Sequence, residues 1–270
     1  MQTKYHYHQT QSPHEPRETL PTMYDLPSEN PEEPGLPDEF HDLQPELLRL
    51  TFRPANYSPE EIFSGSDLNL YYDLNHHSWY KRPDWFGVVG ISRFYKNEDL
   101  RLSYVMWQEM VAPTVVVELL SPGTEKEDLG TSIRNSNEPP TKWEVYEQIL
   151  QIPYYVVFDR YNDQLRAFAL RNGVYQELKL TQPRIWIPQL ELGLGLWTGE
   201  YDRKNRLWLR WYDDQEEWIL TPTECSNIAQ EQLEGERQRA EAERQRAEAE
   251  KLRSQRLEEL LRSHGIDPNA

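Results

Sequence analysis

The sequence has little cysteine, few basic residues for its number of acids, and no long apolar run. Its single cysteine, Cys225, excludes an intramolecular disulfide and a zinc site built from several cysteines. No apolar stretch of about 18 residues is present, and the first residues lack a secretory pattern, so we expect no membrane span and a cytoplasmic location. The net charge of −17 excludes the broadly cationic surface that binds duplex DNA unselectively.

Aromatic residues are plentiful, and their distribution suggests where the chain folds. Nine Trp and 16 Tyr supply ample apolar surface, and 270 residues suit one large domain with appendages. Residues 1–54 are rich in Pro, Glu, Asp and His, which predicts a mostly disordered segment, although 46–50 could dock on the domain as a short helix or strand. We therefore predict a folded domain at 55–222 and a charged helix at 223–265.

Hydrophobic patterns between these boundaries predict an α/β domain. Thr141 and Glu144 form a capping-box pattern, so a helix is expected over 142–150, ended by Pro153. The Gly193-Leu194-Gly195 segment is interpreted as a bend between short strands. The predicted strands lie at 68–72, 84–91, 100–107, 114–120, 154–159, 164–170, 174–178, 184–187 and 206–212.

The C-terminal segment contains an internal repeat. The sequence Glu-Arg-Gln-Arg-Ala-Glu-Ala occurs at 236–242 and again at 243–249, and a seven-residue period predicts a helix with a fixed stripe. Alanine dominates the stripe, followed by Leu252, Leu257, Leu260 and Leu261. Two interpretations stay open: a weak coiled-coil seam that joins copies of the chain into a homo-oligomer, or an isolated helix stabilised by Glu and Arg pairs.

Two acidic residues occupy positions where burial makes a carboxylate costly. Asp84 follows Pro83 at the start of a predicted strand, and Glu118 shares a strand face with Val116 and Leu120. A buried carboxylate requires compensation by a metal ion, a lysine or hydrogen bonds. Two such residues on neighbouring strands would make a divalent-cation site.

Lys142 is the third unusual residue. On the predicted helix it aligns with Tyr146 and Ile149, which places its ammonium group on the face toward the sheet, within reach of the carboxylates. The alternative is structural: Lys142 extends from the first helical turn into solvent, and Glu118 pairs with an arginine for the fold alone.

Other candidate ligands have simpler interpretations. His76 and His77 lie in a polar turn and are expected to be solvated loop residues rather than metal ligands. Asp73 ends a predicted strand, where it could either begin a turn or serve as an additional ligand.

Four sequence motifs carry a family resemblance. They are Lys-Arg-Pro-Asp-Trp-Phe at 81–86, Tyr-Val-Met-Trp-Gln-Glu at 104–109, Pro-Thr-Val-Val-Val-Glu-Leu-Leu-Ser-Pro-Gly-Thr at 113–124, and Lys-Trp-Glu-Val-Tyr at 142–146. In this order they resemble the Uma-type family of restriction-endonuclease-like proteins, within the PD-(D/E)XK nuclease superfamily, over 57–211. The resemblance implies a central mixed sheet flanked by helices, here followed by C-terminal β-hairpins and the long charged helix.

The resemblance also implies an activity and a site. It predicts a Mg²⁺- or Mn²⁺-dependent endonuclease with DNA as substrate, in which Asp84 and Glu118 bind the metal and Lys142 completes the catalytic group. Leu120 stands where the standard motif has lysine, so the lysine must come from the helix. Asp128 matches a family acid, but the long loop over 130–141 leaves its role open. The alternative function is a catalytically inactive module of the same fold that assembles through its C-terminal helix.

Overall fold

The computed structural model describes residues 38–121, 125–132 and 138–263. The chain divides into two compact units between Ile219 and Leu220. Residues 1–37 lie outside the described residues, so the disorder expected there stays a prediction.

The first unit mixes helices with three sheets. The helices are α1 Glu39–Thr51, α2 Met106–Glu109, α3 Glu125–Asp128 and α4 Lys142–Glu144, which continues into a π-helical turn at Val145–Ile149; a 3₁₀ turn covers Pro59–Glu61. The strands are β1 Ile62–Gly65, β2 Leu70–Tyr71, β3 Tyr80–Lys81, β4 Trp85–Val89, β5 Tyr104–Val105, β6 Val115–Leu119, β7 Tyr154–Asp159, β8 Gln164–Arg171, β9 Val174–Glu177, β10 Arg184–Ile187, β11 Leu192–Tyr201 and β12 Lys204–Tyr212.

The central sheet is mixed. Its strand order is β1-β4-β6-β7-β8-β9, with β6 and β7 parallel and the other neighbours antiparallel. Parallel strands need a crossover connection, and α3 and α4 lie in the one that joins β6 to β7. Two three-stranded sheets, β10-β11-β12 and β3-β2-β5, complete the unit. The expectation of a mixed α/β sheet with flanking helices and a long C-terminal helix is confirmed.

Strand β6 separates two cores. Val117 and Leu119 belong to one hydrophobic cluster together with Leu47 and Leu48 of α1 and residues of β10 to β12. Val116 and Leu120 belong to a second cluster, which contains Tyr146 and Tyr155. Because side chains alternate along a strand, Glu118 lies on the face of the second cluster. The carboxylate therefore shares its face with the tyrosines of the second cluster.

Helix α1 begins before the domain boundary expected at residue 55. Its N-cap, Asp38, accepts a hydrogen bond from the His41 backbone N–H at 2.9 Å. Leu47 and Leu48 are 0% exposed, and burying each stabilises the fold by about 2 kcal/mol. The helix thus belongs to the folded unit. Its charged and proline residues obscured the apolar spacing in the sequence.

Two expected elements differ from the structure for local reasons. In place of one strand over 100–107, β5 is short and the chain turns into α2, which ends at Met110 with φ 58°. The bend expected at Gly193 to Gly195 is absent, because both glycines lie within the continuous strand β11. A Cβ at Gly193 would collide with the ring of Tyr212 on the neighbouring strand, so glycine here permits close packing.

The second unit is the helix α5, Pro222–Ser263. The exposed fractions of Leu252, Leu257 and Leu260 are 54%, 52% and 58%, while the side chain of Leu261 lies outside the described residues. Among the helices that the structure describes, none combines the length and the apolar character needed to cross a membrane. Self-association through this helix stays a prediction.

Candidate carboxylate and lysine site

Strand pairing brings Asp84 and Glu118 together. Strands β4 and β6 are antiparallel, with Trp85 opposite Val117, so the residue that precedes β4 lies opposite Glu118. The Asp84 backbone N–H donates to Glu118 Oε2 at 3.3 Å, and Asp84 Oδ2 accepts a hydrogen bond from the Leu119 backbone N–H at 2.6 Å. The two acids are therefore held side by side at the end of the central sheet where β4 begins and β6 ends.

Glu118 is fully buried, and both of its carboxylate oxygens have partners. Its exposed fraction is 0%. Oε1 accepts a hydrogen bond from the Tyr146 hydroxyl at 2.9 Å, and Oε2 accepts one from Lys142 Nζ at 3.0 Å. These contacts provide the compensation that a buried carboxylate requires.

Lys142 joins two carboxylates. Its Nζ lies 3.0 Å from Glu118 Oε2 and 2.8 Å from Asp128 Oδ1. The helix that carries Lys142 begins there because the capping box of Thr141 and Glu144 is formed, with the Glu144 backbone N–H donating to Thr141 Oγ1 at 3.1 Å. The lysine thus comes from the helix rather than from the residue after strand β6, because that residue is Leu120, which lies buried in the apolar cluster.

Asp128 is a third acid in the cluster. It ends helix α3 and is 1% exposed. Its Oδ1 contacts Lys142. Its Oδ2 has no hydrogen-bond partner in the described part of the chain. The sequence left the role of Asp128 open because of the long loop, and residues 133–137 of that loop lie outside the described residues. Tertiary packing nevertheless brings the carboxylate to Lys142.

A π-helical turn alters the face expected for the helix. Lys142 and Tyr146 both reach Glu118, but Ile149, expected on the same face, is 46% exposed. The Leu150 backbone N–H donates to the Val145 carbonyl at 2.8 Å, which is the wider i→i+5 spacing of a π turn. Leu150 therefore packs inward in place of Ile149.

Burial and mutual repulsion govern the ionisation of the cluster. Burial raises the pKa of Glu118 well above its usual range; Lys142 opposes this effect, while Asp84 and Asp128 add to it. Burial likewise raises the pKa of Asp84, against the opposing charge of Lys142. Burial alone would lower the pKa of Lys142, but the surrounding carboxylates outweigh it and raise that pKa. The lysine is accordingly held as a cation, while the raised pKa values of Asp84 and Glu118 oppose the ionisation of these two acids.

The donor set of the cluster suits a hard cation. In the described ranges, no group of three or more His, Cys, Asp and Glu side chains has the spacing of a complete metal cage. Mg²⁺, however, is commonly held by one or two carboxylates, with water and substrate phosphate filling its other positions. Asp84 and Glu118 supply such a pair, and the unpartnered Oδ2 of Asp128 marks local negative charge that a cation would offset.

His41 is a neighbour that the sequence analysis missed. Its Nδ1 lies 2.8 Å from Asp38 Oδ1, and its Nε2 lies 3.3 Å from both the Leu119 carbonyl oxygen and Ser121 Oγ. Burial works to lower the pKa of His41, but the bond to Asp38 reverses this and raises it. The Asp38-x-x-His41 spacing at a helix start was a usable signal, hidden by the disorder expected for 1–54.

Asp73 and His76 form a separate local contact. Asp73 Oδ2 lies 2.7 Å from His76 Nδ1, and Asp73 Oδ1 accepts a hydrogen bond from the Asn75 backbone N–H at 2.8 Å. These are the bonds of an aspartate that begins a turn. None of them involves the carboxylates around Lys142.

Comparisons with known proteins show a family match and a similarity to a solved structure. The model of the family Uma2, described as a putative restriction endonuclease, matches residues 8–207. This range starts well before residue 57 and includes α1 and the whole carboxylate cluster. A crystal structure of a putative nuclease belonging to DUF820, from Anabaena variabilis, is similar at 11% identity over 58% of this chain and 76% of that chain, with a TM-score of 0.39. No curated protein matches the sequence.

Proposed function

This chain belongs to the Uma2 family of putative restriction endonucleases, and we propose that it is an endonuclease that hydrolyses DNA phosphodiester bonds with Mg²⁺ or Mn²⁺. The resemblance inferred from the sequence motifs is confirmed by the family match. Family membership supports a hydrolase that acts on nucleic acid. The choice of DNA, the metal and the residue roles are our proposal.

One observation carries the proposal: two acids and one amine converge from three separate segments. Asp84 precedes β4, Glu118 is the penultimate residue of β6 and Lys142 begins α4, yet the Asp84 backbone N–H and Lys142 Nζ both donate to Glu118 Oε2. A purely structural ion pair would need no second acid beside it. An uncompensated excess of buried carboxylate over amine is costly for the fold and useful for holding a cation.

Each group has a distinct role. Asp84 and Glu118 hold the divalent cation, and the Tyr146 hydroxyl fixes the orientation of Glu118 through its bond to Oε1. A bound Mg²⁺ or Mn²⁺ would polarise the phosphodiester and lower the pKa of a water molecule. Lys142 places positive charge where negative charge builds up on the phosphate during hydrolysis. Asp128 holds the ammonium group of Lys142 from the other side.

A cleavage assay tests this function. We expect the wild-type protein to cut DNA when Mg²⁺ or Mn²⁺ is present and not in EDTA, with duplex DNA, single-stranded DNA and RNA compared side by side. Glu118→Gln should reduce cleavage by at least about 100-fold, because the metal loses a charged ligand. Glu177→Gln is a matched control, since Glu177 pairs with Arg166 on β8 and not with the cluster.

The alternative is an inactive module of the same fold. Two features favour it: both oxygens of Glu118 are partnered within the chain, and Leu120 replaces the motif lysine. No cleavage with any substrate and metal would support this alternative, whereas equal activity of the wild-type and Glu118→Gln proteins would contradict the role proposed for Glu118. In that case α5 would provide the assembly surface, and its self-association and the cytoplasmic location stay predictions.

A further inference from the structure

We propose that Arg160 and Arg206, which lie against the Phe40 ring beside the carboxylate cluster, bind one phosphate group of the nucleic-acid strand. This inference rests on the proposed function, because its ligand is the substrate of the proposed endonuclease. The two guanidinium carbons lie 4.8 Å and 4.4 Å from the Phe40 ring centroid. Three elements therefore place two cations around one aromatic ring.

The position of the two arginines links them to the site. Arg160 follows the last residue of β7, and β6 and β7 are parallel with Leu119 opposite Phe158, so Arg160 lies at the sheet edge where β6 ends. Phe40 is adjacent to His41, whose Nε2 is 3.3 Å from the Leu119 carbonyl oxygen. The ring that both arginines contact is thus one residue away from a side chain that reaches Leu119, whose backbone N–H donates to Asp84 Oδ2.

Arg206 and Arg160 differ in their polar contacts. In the described ranges Arg206 makes no ion pair, and its Nε is buried without a hydrogen-bond partner. Its polar surroundings are Arg160 and Tyr161, with Asp38 and Asp163 as nearby acids. Burial, and then the positive charge of Arg160, lower the pKa of Arg206. Arg160, by contrast, is held by Asp38 and donates to the Tyr161 hydroxyl at 2.7 Å.

A phosphodiester group matches this arrangement. Its two anionic oxygens can accept paired hydrogen bonds from a forked guanidinium group, and such charge-assisted bonds are among the strong ones. An anion would also offset the repulsion between Arg160 and Arg206. Stacking on Phe40 and Trp208 accounts for the place of the Arg206 side chain, but it leaves the buried Nε unpaired.

The test measures binding separately from cleavage. Labelled single-stranded and duplex oligonucleotides are titrated with protein in EDTA at several NaCl concentrations, and fluorescence anisotropy gives the affinity. We expect Arg206→Gln to weaken binding about tenfold. It should also reduce the slope of log affinity against log salt by about 0.7 for single strands or about 0.9 for duplex, the loss of one phosphate contact.

Arg166→Gln is the matched control. Arg166 is paired with Glu177 and shares a strand face with Phe168 of the second cluster, the face that also carries Glu118, whereas Phe40 belongs to the first cluster. The same loss of charge there should leave affinity and salt slope unchanged. Arg206→Lys keeps the charge but loses the fork, so it should retain the slope and weaken binding. Arg206→Lys also provides the test if circular dichroism shows that Arg206→Gln does not fold.

Three outcomes would overturn the inference: no binding by the wild-type protein, unchanged affinity and slope in a folded Arg206→Gln protein, or equal losses in the Arg206→Gln and Arg166→Gln proteins. If Arg206→Gln has not folded, wild-type affinity in Arg206→Lys would overturn it as well. If the wild-type protein cleaves DNA but Arg206→Gln binds as tightly as wild type, the phosphate site is refuted and the endonuclease proposal stands. Arginine-dependent binding without any cleavage would support the site and count against the endonuclease.

Discussion

The carboxylate cluster and helix α5 are both rich in charge, and they differ in how water reaches that charge. Glu118 is 0% exposed and the Lys142 side chain 17% exposed. In α5 the described polar contacts, such as Gln245 with Glu241 at 3.4 Å, lie on the exposed surface. In water, charges are screened and a pair contributes little. Burial strengthens each interaction and penalises each missing partner, so the cluster rather than the charge-dense helix marks the site.

The largest effect should come from removing the buried amine. Lys142→Met leaves Glu118 and Asp128 without the ammonium group that both contact. We expect a loss of about 3–5 kcal/mol in the free energy of unfolding, measured by urea denaturation. Lys251→Met in α5 is the matched control and should change it little. Equal losses in the two variants would break the contrast between buried and exposed charge.

The second effect concerns one hydroxyl in two settings. Tyr146→Phe removes the donor to Glu118 Oε1, and a loss of about 1–3 kcal/mol is expected because this buried acceptor is left without its partner. Tyr201→Phe removes an equivalent bond to Glu46, 2.8 Å long, at an exposed position. Thermal and urea unfolding of both variants should give a clearly smaller loss for Tyr201→Phe. The reverse order would contradict the account given for Glu118.

The third effect is a dependence of stability on pH. The folded-state pKa of Glu118 is raised, so the folded protein binds more protons; this contribution is present below the usual carboxyl range and is lost as pH rises through the raised pKa. In EDTA, urea unfolding should show stability falling with rising pH by at most about 1.4 kcal/mol per pH unit for this group. The stability of the Glu118→Gln protein should fall less steeply with rising pH. His41, whose pKa is also raised, is present in both proteins and cancels.

Added Mg²⁺ sharpens the same measurement. A cation that binds the ionised acids should flatten the decline in the wild-type protein and leave the Glu118→Gln protein nearly unchanged. Parallel curves for the two proteins, with and without Mg²⁺, would speak against Glu118 as the titrating ligand.

The smallest effect is expected on the surface of α5. Glu241→Gln removes the negative charge of the group that accepts a hydrogen bond from the Gln245 side chain, and we expect melting temperature and helix content to stay within measurement error. Sedimentation velocity of the same pair of proteins tests the coiled-coil prediction. A change in the oligomeric state would show that the charges of this helix act between chains.

Local patterns sufficed where neighbours in sequence decide the structure. The strands β7 and β10 have the bounds expected from their aromatic and β-branched residues, and Thr141 and Glu144 cap the helix that carries Lys142. Local patterns failed where the structure depends on contacts between residues far apart in the chain. Asp128 ends the short helix α3, and the apolar spacing of α1 was diluted by acids, so local patterns did not place either beside the site.

The amino-acid order by itself determined that Glu118 shares a strand face with Val116 and Leu120, and that a lysine opens the following helix, because both depend on backbone periodicity and capping. Only the tertiary structure decided which groups meet. The 2.8 Å contact of Lys142 with Asp128, the approach of His41 to Leu119 and the pairing of Arg160 with Arg206 around Phe40 join residues far apart in the chain. Such contacts arise from the packing of helices and sheets against one another, so they cannot be predicted from the spacing of residues in the sequence.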